Sequence, residues 1–207
     1  MFFAVARRAS RVLLDRTTPS WKRRYGVYAN NREGARQAVR HLFRHGDRCI
    51  VYVNGPADLS QSIDRRLGVE DVMAEKGIPQ SALAVLDGGF TLEGAYAAMS
   101  AYLERGSTQS QPLRPVFAAN DVMALGVLRA LKEHGVCVPS EVEVIGFDDI
   151  ELARMLEPAL STVSQPAIEM GALSAEVLLR LLRGERPRVR RHTLAPSLRL
   201  RATTRAL

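Results

Sequence analysis

Five apolar runs in this 207-residue chain end in the same kind of residue. RVLL, residues 11–14, stops at Asp15. CIVYV, 49–53, stops at Asn54-Gly55, and ALAVL, 82–86, at Asp87. VFAA, 116–119, stops at Asn120-Asp121, and VEVIGF, 142–147, at Asp148-Asp149. Carboxylates and amides gathered at strand ends can hydrogen-bond the hydroxyl groups of a sugar. A charge-assisted hydrogen bond contributes about 1.5–3 kcal/mol, so several together give useful affinity. Phe90, Phe117 and Phe147 could offer a face to a sugar ring. Plain structural roles exist beside these. Asp121 suits the N-cap of a helix starting at Val122, and Asp149 that of a short helix over 150–155. Asn120 and Asp148 could hold turns, and Phe117 and Phe147 lie inside strand runs, as core residues would.

The elements that would position these residues alternate. Between the apolar runs lie helix-length periodic segments: Leu59–Lys76 ended by Gly77, Leu92–Arg105 ended by Gly106, and Val122–His134 ended by Gly135. Glycine after the last helical residue is a C-terminal cap signal. Strand–helix alternation at this spacing predicts a parallel sheet covered by helices on both faces. In such sheets ligands bind outside the carboxyl ends of the strands, which is where the polar residues stand. The first 47 residues hold the same grammar once: a strand at Arg11–Asp15, a second at Tyr25–Ala29 and a helix over Arg32–Arg44, closed by Gly46. After Val163 the pattern changes. Ala167–Arg183 predicts an amphipathic helix with Ile168, Leu173, Val177, Leu178 and Leu182 on its apolar side. Val189–Leu194 and Ser197–Ala202 alternate apolar and polar, as half-exposed strands do.

Composition narrows the class. Hydrophobic residues make up 46% of the chain, ample for a core, and the formal charge of +7 is carried mostly by scattered arginines. They form no block interleaved with aromatics, so the charge by itself does not argue nucleic-acid binding. Two cysteines give no disulfide framework, which favours a reducing cytoplasm. The four histidines lack metal-ligand spacing, so no metal and no cofactor is expected. At the start, MFFAVARRASRVLLD carries its charges after the apolar residues, the reverse of a secretory signal.

From Gly26 to Thr204 the chain resembles the effector-binding domain of LacI/GalR-type bacterial transcription regulators. NREGARQAVRHLFRHG, 31–46, is similar to the family's helix before the first crossover, and RRLGVEDVMAEKGI, 65–78, to its Arg-x-x-Gly helix. FAANDVMALGVLRALKEHGVCVPSEVEVIGFDDIELARMLEPALSTVSQP, 117–166, matches almost throughout. EMGALSAEVLLRLLRGE, 169–185, resembles the helix that returns to the other lobe. The resemblance implies a periplasmic-binding-protein-like α/β fold: two parallel-sheet lobes, each three-layered α/β/α, with the effector in the cleft between them. It puts residues 1–47 and 166–186 in an amino-terminal lobe, and 48–163 and 187–207 in a carboxyl-terminal one. It implies ligand-binding roles for Asp15, Arg65, Phe90, Asn120 and Asp148, with Asp121 starting a helix beside Asn120. It also implies a sugar-like effector, a homodimer, and operator DNA bound through a helix-turn-helix domain.

Departures from the family pattern are specific. Asn30-Asn31 stands where the family usually shows Asp-Asn, and Gly46-Asp47 where it shows Gly-His. The family's helix-turn-helix, hinge helix and first lobe strands have no counterpart in this sequence, so the first lobe is expected to be truncated and RVLLD to form a sheet edge. A solute-binding protein of a transport system is the alternative within the same fold. An enzyme is not expected: G-x-G-x-x-G, G-x-x-x-x-G-K-[ST] and G-x-S-x-G are all missing from the sequence.

Overall fold

The structure is a computed structural model and describes residues 11–16, 24–107 and 113–205. Among the described residues the α-helices and strands follow in chain order: β1 (Val12–Leu14), β2 (Tyr25–Ala29), α1 (Asn31–Leu42), β3 (Ile50–Asn54), α2 (Ser60–Glu75), β4 (Leu83–Asp87), α3 (Leu92–Ser107), β5 (Val116–Ala118), α4 (Asp121–Glu133), β6 (Val144–Asp148), α5 (Glu151–Met155), β7 (Ser161–Ser164), α6 (Ala167–Leu182), β8 (Arg191–Leu194) and β9 (Ser197–Arg199). The alternation read from the sequence is present, with boundaries shifted by one or two residues. Gly77 and Gly135 close their helices in the left-handed conformation, at φ 63° and 72°, where a residue with a side chain is strained. Gly106 does not close α3, which runs on to Ser107. A glycine near a helix end costs about 1 kcal/mol but does not forbid the turn.

The chain divides into two compact units. One comprises residues 1–29 and 166–194, the other 30–165 and 195–207. This moves two boundaries expected from the sequence. Residues 30–47 belong to the second unit, because α1 packs on α2, β7 and β9. Residues 187–194 belong to the first, because β8 pairs with β2.

The second unit holds a six-stranded sheet in the order β4-β3-β5-β6-β7-β9. All neighbours are parallel except β7 and β9, which run antiparallel with Ser164 opposite Ser197. Strands β3, β5 and most of β6 are buried on both faces, which is why they read as unbroken apolar runs. A β-carbon on Gly34 of α1 would meet the Phe147 ring, whereas one on Gly146 would fall on the Asp121 carboxylate of α4. So α1 and α4 cover opposite faces of β6. Tyr52 and Phe117 stack at 5.5 Å between ring centroids and, with Phe147, are among the largest fully buried side chains. Each such ring contributes roughly 1.5–3 kcal/mol by leaving water.

Strand β7 was not expected, and its sequence, STVS, explains why. Ser161 and Thr162 are fully buried, but their polar groups are used. Thr162 donates its hydroxyl to Asp121 Oδ1 at 2.6 Å, and the Ser161 amide donates to Thr203 Oγ1 at 2.8 Å. Nearby, the buried Glu143 carboxylate accepts from Arg44 at 3.0 Å and from the Arg205 amide at 2.6 Å. These bonds fasten residues 203–205 to the sheet.

The first unit is a three-stranded parallel sheet in the order β1-β2-β8, with α6 against β1 and β2. Among the described residues strand β1 is an edge, as expected, and Leu14 is half exposed. The small core is Val27, Ala29 and Met170, with Leu173 and Leu194 against it. The inward side of α6 is set by Met170 and Val177, while Ile168 and Leu182, expected on the apolar side, are exposed.

Candidate functional site

Arg65 is the anchor of the site in the second unit. It projects from α2 and is only 3% exposed. A buried guanidinium needs its donors used and its charge offset. Its Nε donates to Asn31 Oδ1 at 2.8 Å, one Nη donates to the Ala119 carbonyl, and the other reaches Asp148 Oδ1 at 3.5 Å. The guanidinium carbon lies 3.7 Å from the centre of the Phe147 ring, a cation–π contact. Gln165 Nε2 donates to the same Asp148 oxygen at 2.6 Å. Asp148 is thus aimed by two side chains yet keeps 30% of its own side chain exposed.

The backbone at Asp148 is unusual. Asp148 and Asp149 have φ of 118° and 60°, a region that costs non-glycine residues on the order of 1–3 kcal/mol each and gathers at functional sites. Asp121 holds this turn. Fully buried, it accepts the Ile150 amide on Oδ2 at 2.9 Å and the Thr162 hydroxyl on Oδ1 at 2.6 Å. Burial pushes its carboxyl up to about 7, against those two hydrogen bonds, and the nearby Asp148 charge adds to the rise. Asp149 differs: burial works against its charge, but the Arg201 guanidinium at 2.5 Å holds it below the usual carboxylate range.

The capping roles fall elsewhere than expected. Asn120, not Asp121, caps α4, accepting the Met123 amide on Oδ1 at 2.8 Å. Asp149 does not cap α5, whose N-cap residue is Ile150, with no side-chain bond. Asn120 stands one residue beyond Ala119, whose carbonyl holds Arg65, so Asn120, Arg65 and Asp148 share one neighbourhood. Phe90 has φ 60° and lays its ring on Gly55, where a β-carbon would overlap it. Of the strand-end residues listed by their polarity, Asp87 accepts the Gly89 amide at 3.1 Å and shapes its own turn. Phe117 and Phe147 are core residues, although Phe147 also supports Arg65. In the first unit, Asp15 has φ 52° and its Oδ1 accepts the Ala29 amide at 3.1 Å, tying the ends of β1 and β2.

Asn31 and Gln165 carry the site and were not singled out for it in the sequence. Asn31 lay in the noted Asn30-Asn31 departure, and Gln165 in the long matching stretch, so both signals came from resemblance rather than from chemistry. The arrangement can present a carboxylate acceptor beside guanidinium and amide donors to a ligand rich in hydroxyls. Among the described residues no group of three or more His, Cys, Asp or Glu side chains is placed to hold a metal.

Comparison with known proteins agrees with this fold. Residues 39–204 match the model of the periplasmic binding protein-like domain. The ribose operon repressor of Halalkalibacterium halodurans is 31% identical over 179 residues, covering 86% of this chain and 52% of the repressor. The regulator GalS of Salmonella typhimurium is 35% identical over 187 residues, covering 90% and 54%. The chain therefore spans about half the length of the curated relatives it matches. Among solved structures, a LacI family regulator from Enterococcus faecium with bound ribose superposes with a TM-score of 0.83 at 26% identity, covering 95% of this chain and 70% of that one. A complex of the regulator CelR with cellobiose gives 0.82 at 31% identity, covering 93% and 58%. With its sheet topology and this extent of match, the chain belongs to the periplasmic binding protein-like domain family, in the form carried by LacI/GalR regulators.

Proposed function

We propose that this chain is the ligand-sensing domain of a LacI-type transcription regulator and that its effector is a small sugar. The observation that carries the reading is the Arg65–Asp148 pair, buried on one side by Asn31, Ala119, Phe147 and Gln165 and open at the carboxylate. Asp148 accepts effector hydroxyls, and Arg65 holds the carboxylate in place and donates to the ligand. Asn120 spends its Oδ1 on the α4 cap and offers its Nδ2 hydrogens. Phe90 gives its ring to the apolar face of the sugar. Asp15 is the ligand group proposed for the first unit. The relatives' names support a sugar: ribose operon repressors match in sequence, and ribose and cellobiose are bound in similar structures. They are regulators, which weighs against a transport protein and against an enzyme. In the whole regulator a helix-turn-helix reads the operator, the assembly is a homodimer, and the protein works in the cytoplasm.

The experiment is a thermal-unfolding screen of the chain against pentoses, hexoses, disaccharides and purines. A ligand at a hundred times its dissociation constant adds about 2.7 kcal/mol, a readily seen shift. Asp148→Ala should weaken the best ligand by about tenfold to a hundredfold, the worth of a charged hydrogen bond. Undiminished affinity in that variant would sink the site assignment.

A further inference from the structure

Helix α6 is apolar on two sides. One side carries the buried Met170 and Val177 and the partly buried Leu173, and the helix packs on β1 and β2. The other carries Ile168, Ala172, Ala175, Leu179 and Leu182, all exposed, with Ile168 at 91%, Leu179 at 54% and Leu182 at 65%. A helix turns by about 100° per residue, so this second row points away from the sheet, opposite Met170 and Val177. Its members stand alternately four and three residues apart, 168 to 172 to 175 to 179 to 182. That is the rhythm of the a and d positions by which one helix packs along another. Single exposed leucines are ordinary on a protein surface, but an apolar row at this spacing along a whole helix marks an interaction face.

The order of residues along the row selects the occupant. Its first half is small, Ala172 and Ala175, and its second half is large, Leu179 and Leu182. Two copies of α6 laid antiparallel, with a two-fold axis level with residue 177, set Ala172 against Leu182 and Ala175 against Leu179 in every layer. Small against large is the fit that lets helices interlock without voids. A parallel pair would set alanine on alanine at one end and leucine on leucine at the other. The flanking charges agree. Glu169 and Arg183, both exposed, lie on the same edge of the row near its two ends, so only the antiparallel pair brings each glutamate beside the arginine of the other copy. Glutamate early and arginine late also suit the helix dipole, but the dipole places no demand on the apolar row. We propose that α6 is a self-association face, through which two copies of this chain pair antiparallel with two-fold symmetry. The row is about 21 Å long, so the contact falls below about 1,200 Å² and the pairing is weak. It uses none of the residues assigned to the Asp148 cluster and stands independently of that reading.

The test is sedimentation equilibrium of the full chain at low salt, from about 10 μM to 1 mM, the range in which weak pairs form. The average mass should rise with concentration. Leu179→Lys puts a charge in the middle of the row and should weaken this association about tenfold or more, while the circular dichroism of the dilute protein stays as in the parent, because the site is exposed. Leu182→Lys should act alike and serves if the first variant does not fold. Glu169→Arg and Arg183→Glu should each weaken pairing by about threefold to tenfold, and the two together should restore it, since the exchanged charges meet again across the antiparallel contact. A mass independent of concentration, or association that survives both lysine variants, would overturn the proposal. A double exchange that pairs no better than the single ones would overturn its antiparallel order.

Discussion

Asp121 lies under the turn that presents Asp148, and its burial makes a prediction about pH. Its folded value is about 7, well above the ordinary 3.8. The folded chain therefore holds a proton that the unfolded chain releases over that interval. Stability from this group is greatest below the unfolded value, falls as pH rises towards about 7, and then levels off. Asp121→Asn removes the titration while its side-chain oxygen can still accept the Ile150 amide. Urea unfolding of both proteins at pH 5 and pH 8 should show the asparagine variant gaining on the wild type at the higher pH, by an amount on the order of a few kcal/mol at most. Equal differences at both pH values would refute the assignment. This residue also marks how far the site was legible. Strand-end position identified Asn120, Asp121, Asp148 and Asp149 as a group, but period and polarity could not assign partners across the sheet. The cap went to Asn120 because Asp121 was drawn to Thr162, a residue on a strand that the sequence hid.

At the level of elements, legibility followed burial. β3, β5 and β6 are covered on both faces and announced themselves as apolar runs. β7 is equally buried but satisfies its hydroxyls internally, so its STVS read as a loop. The helix pairs carry their own signature in glycines at close approaches. On α4, a β-carbon at Gly126 would fall on the Leu92 carbonyl oxygen of α3 and stand 2.9 Å from the Tyr96 amide nitrogen. Alanine is the better helix former by about 1 kcal/mol, but here the added carbon meets backbone, which cannot turn aside. Gly126→Ala should therefore lower stability by about 1–3 kcal/mol, the usual cost of overpacking, read as a lower urea midpoint with unchanged slope. A variant as stable as the parent would mean that α3 and α4 are free to move apart.

The two units of the molecule are unequal. The second has a six-stranded sheet and a core that includes Tyr52, Phe117 and Phe147, whereas among the described residues the first rests on three strands, one helix and a small cluster of Val27, Ala29 and Met170. Local opening is easiest where few apolar contacts must be broken. Backbone amides of β1, β2 and α6 should exchange with solvent faster than those of β3, β5 and β6, and equal protection would contradict this. The unit boundaries were the least legible feature at this scale. Nothing in the periodicity of α1 says which sheet it will cover; its packing on α2, β7 and β9 decides that. The strand pairing of β8 with β2 is likewise a long-range choice.

The antiparallel match of Ser164 with Ser197 makes residues 165–196 an excursion from what is, locally, a hairpin. Two antiparallel strands need only a two-residue type I′ turn, for which Asn-Gly is well suited. A shortened gene joining residues 30–164 through Asn-Gly to 197–205 should therefore yield a freestanding domain. It would keep Arg205 and Thr203 on their buried partners Glu143 and Val144. One cooperative unfolding transition is expected, and its absence would show that the excursion is required for folding. Such a minimal scaffold keeps Arg65, Asn31 and Asp148 but not Gln165, so it would also show what the Gln165 bond adds to the cluster.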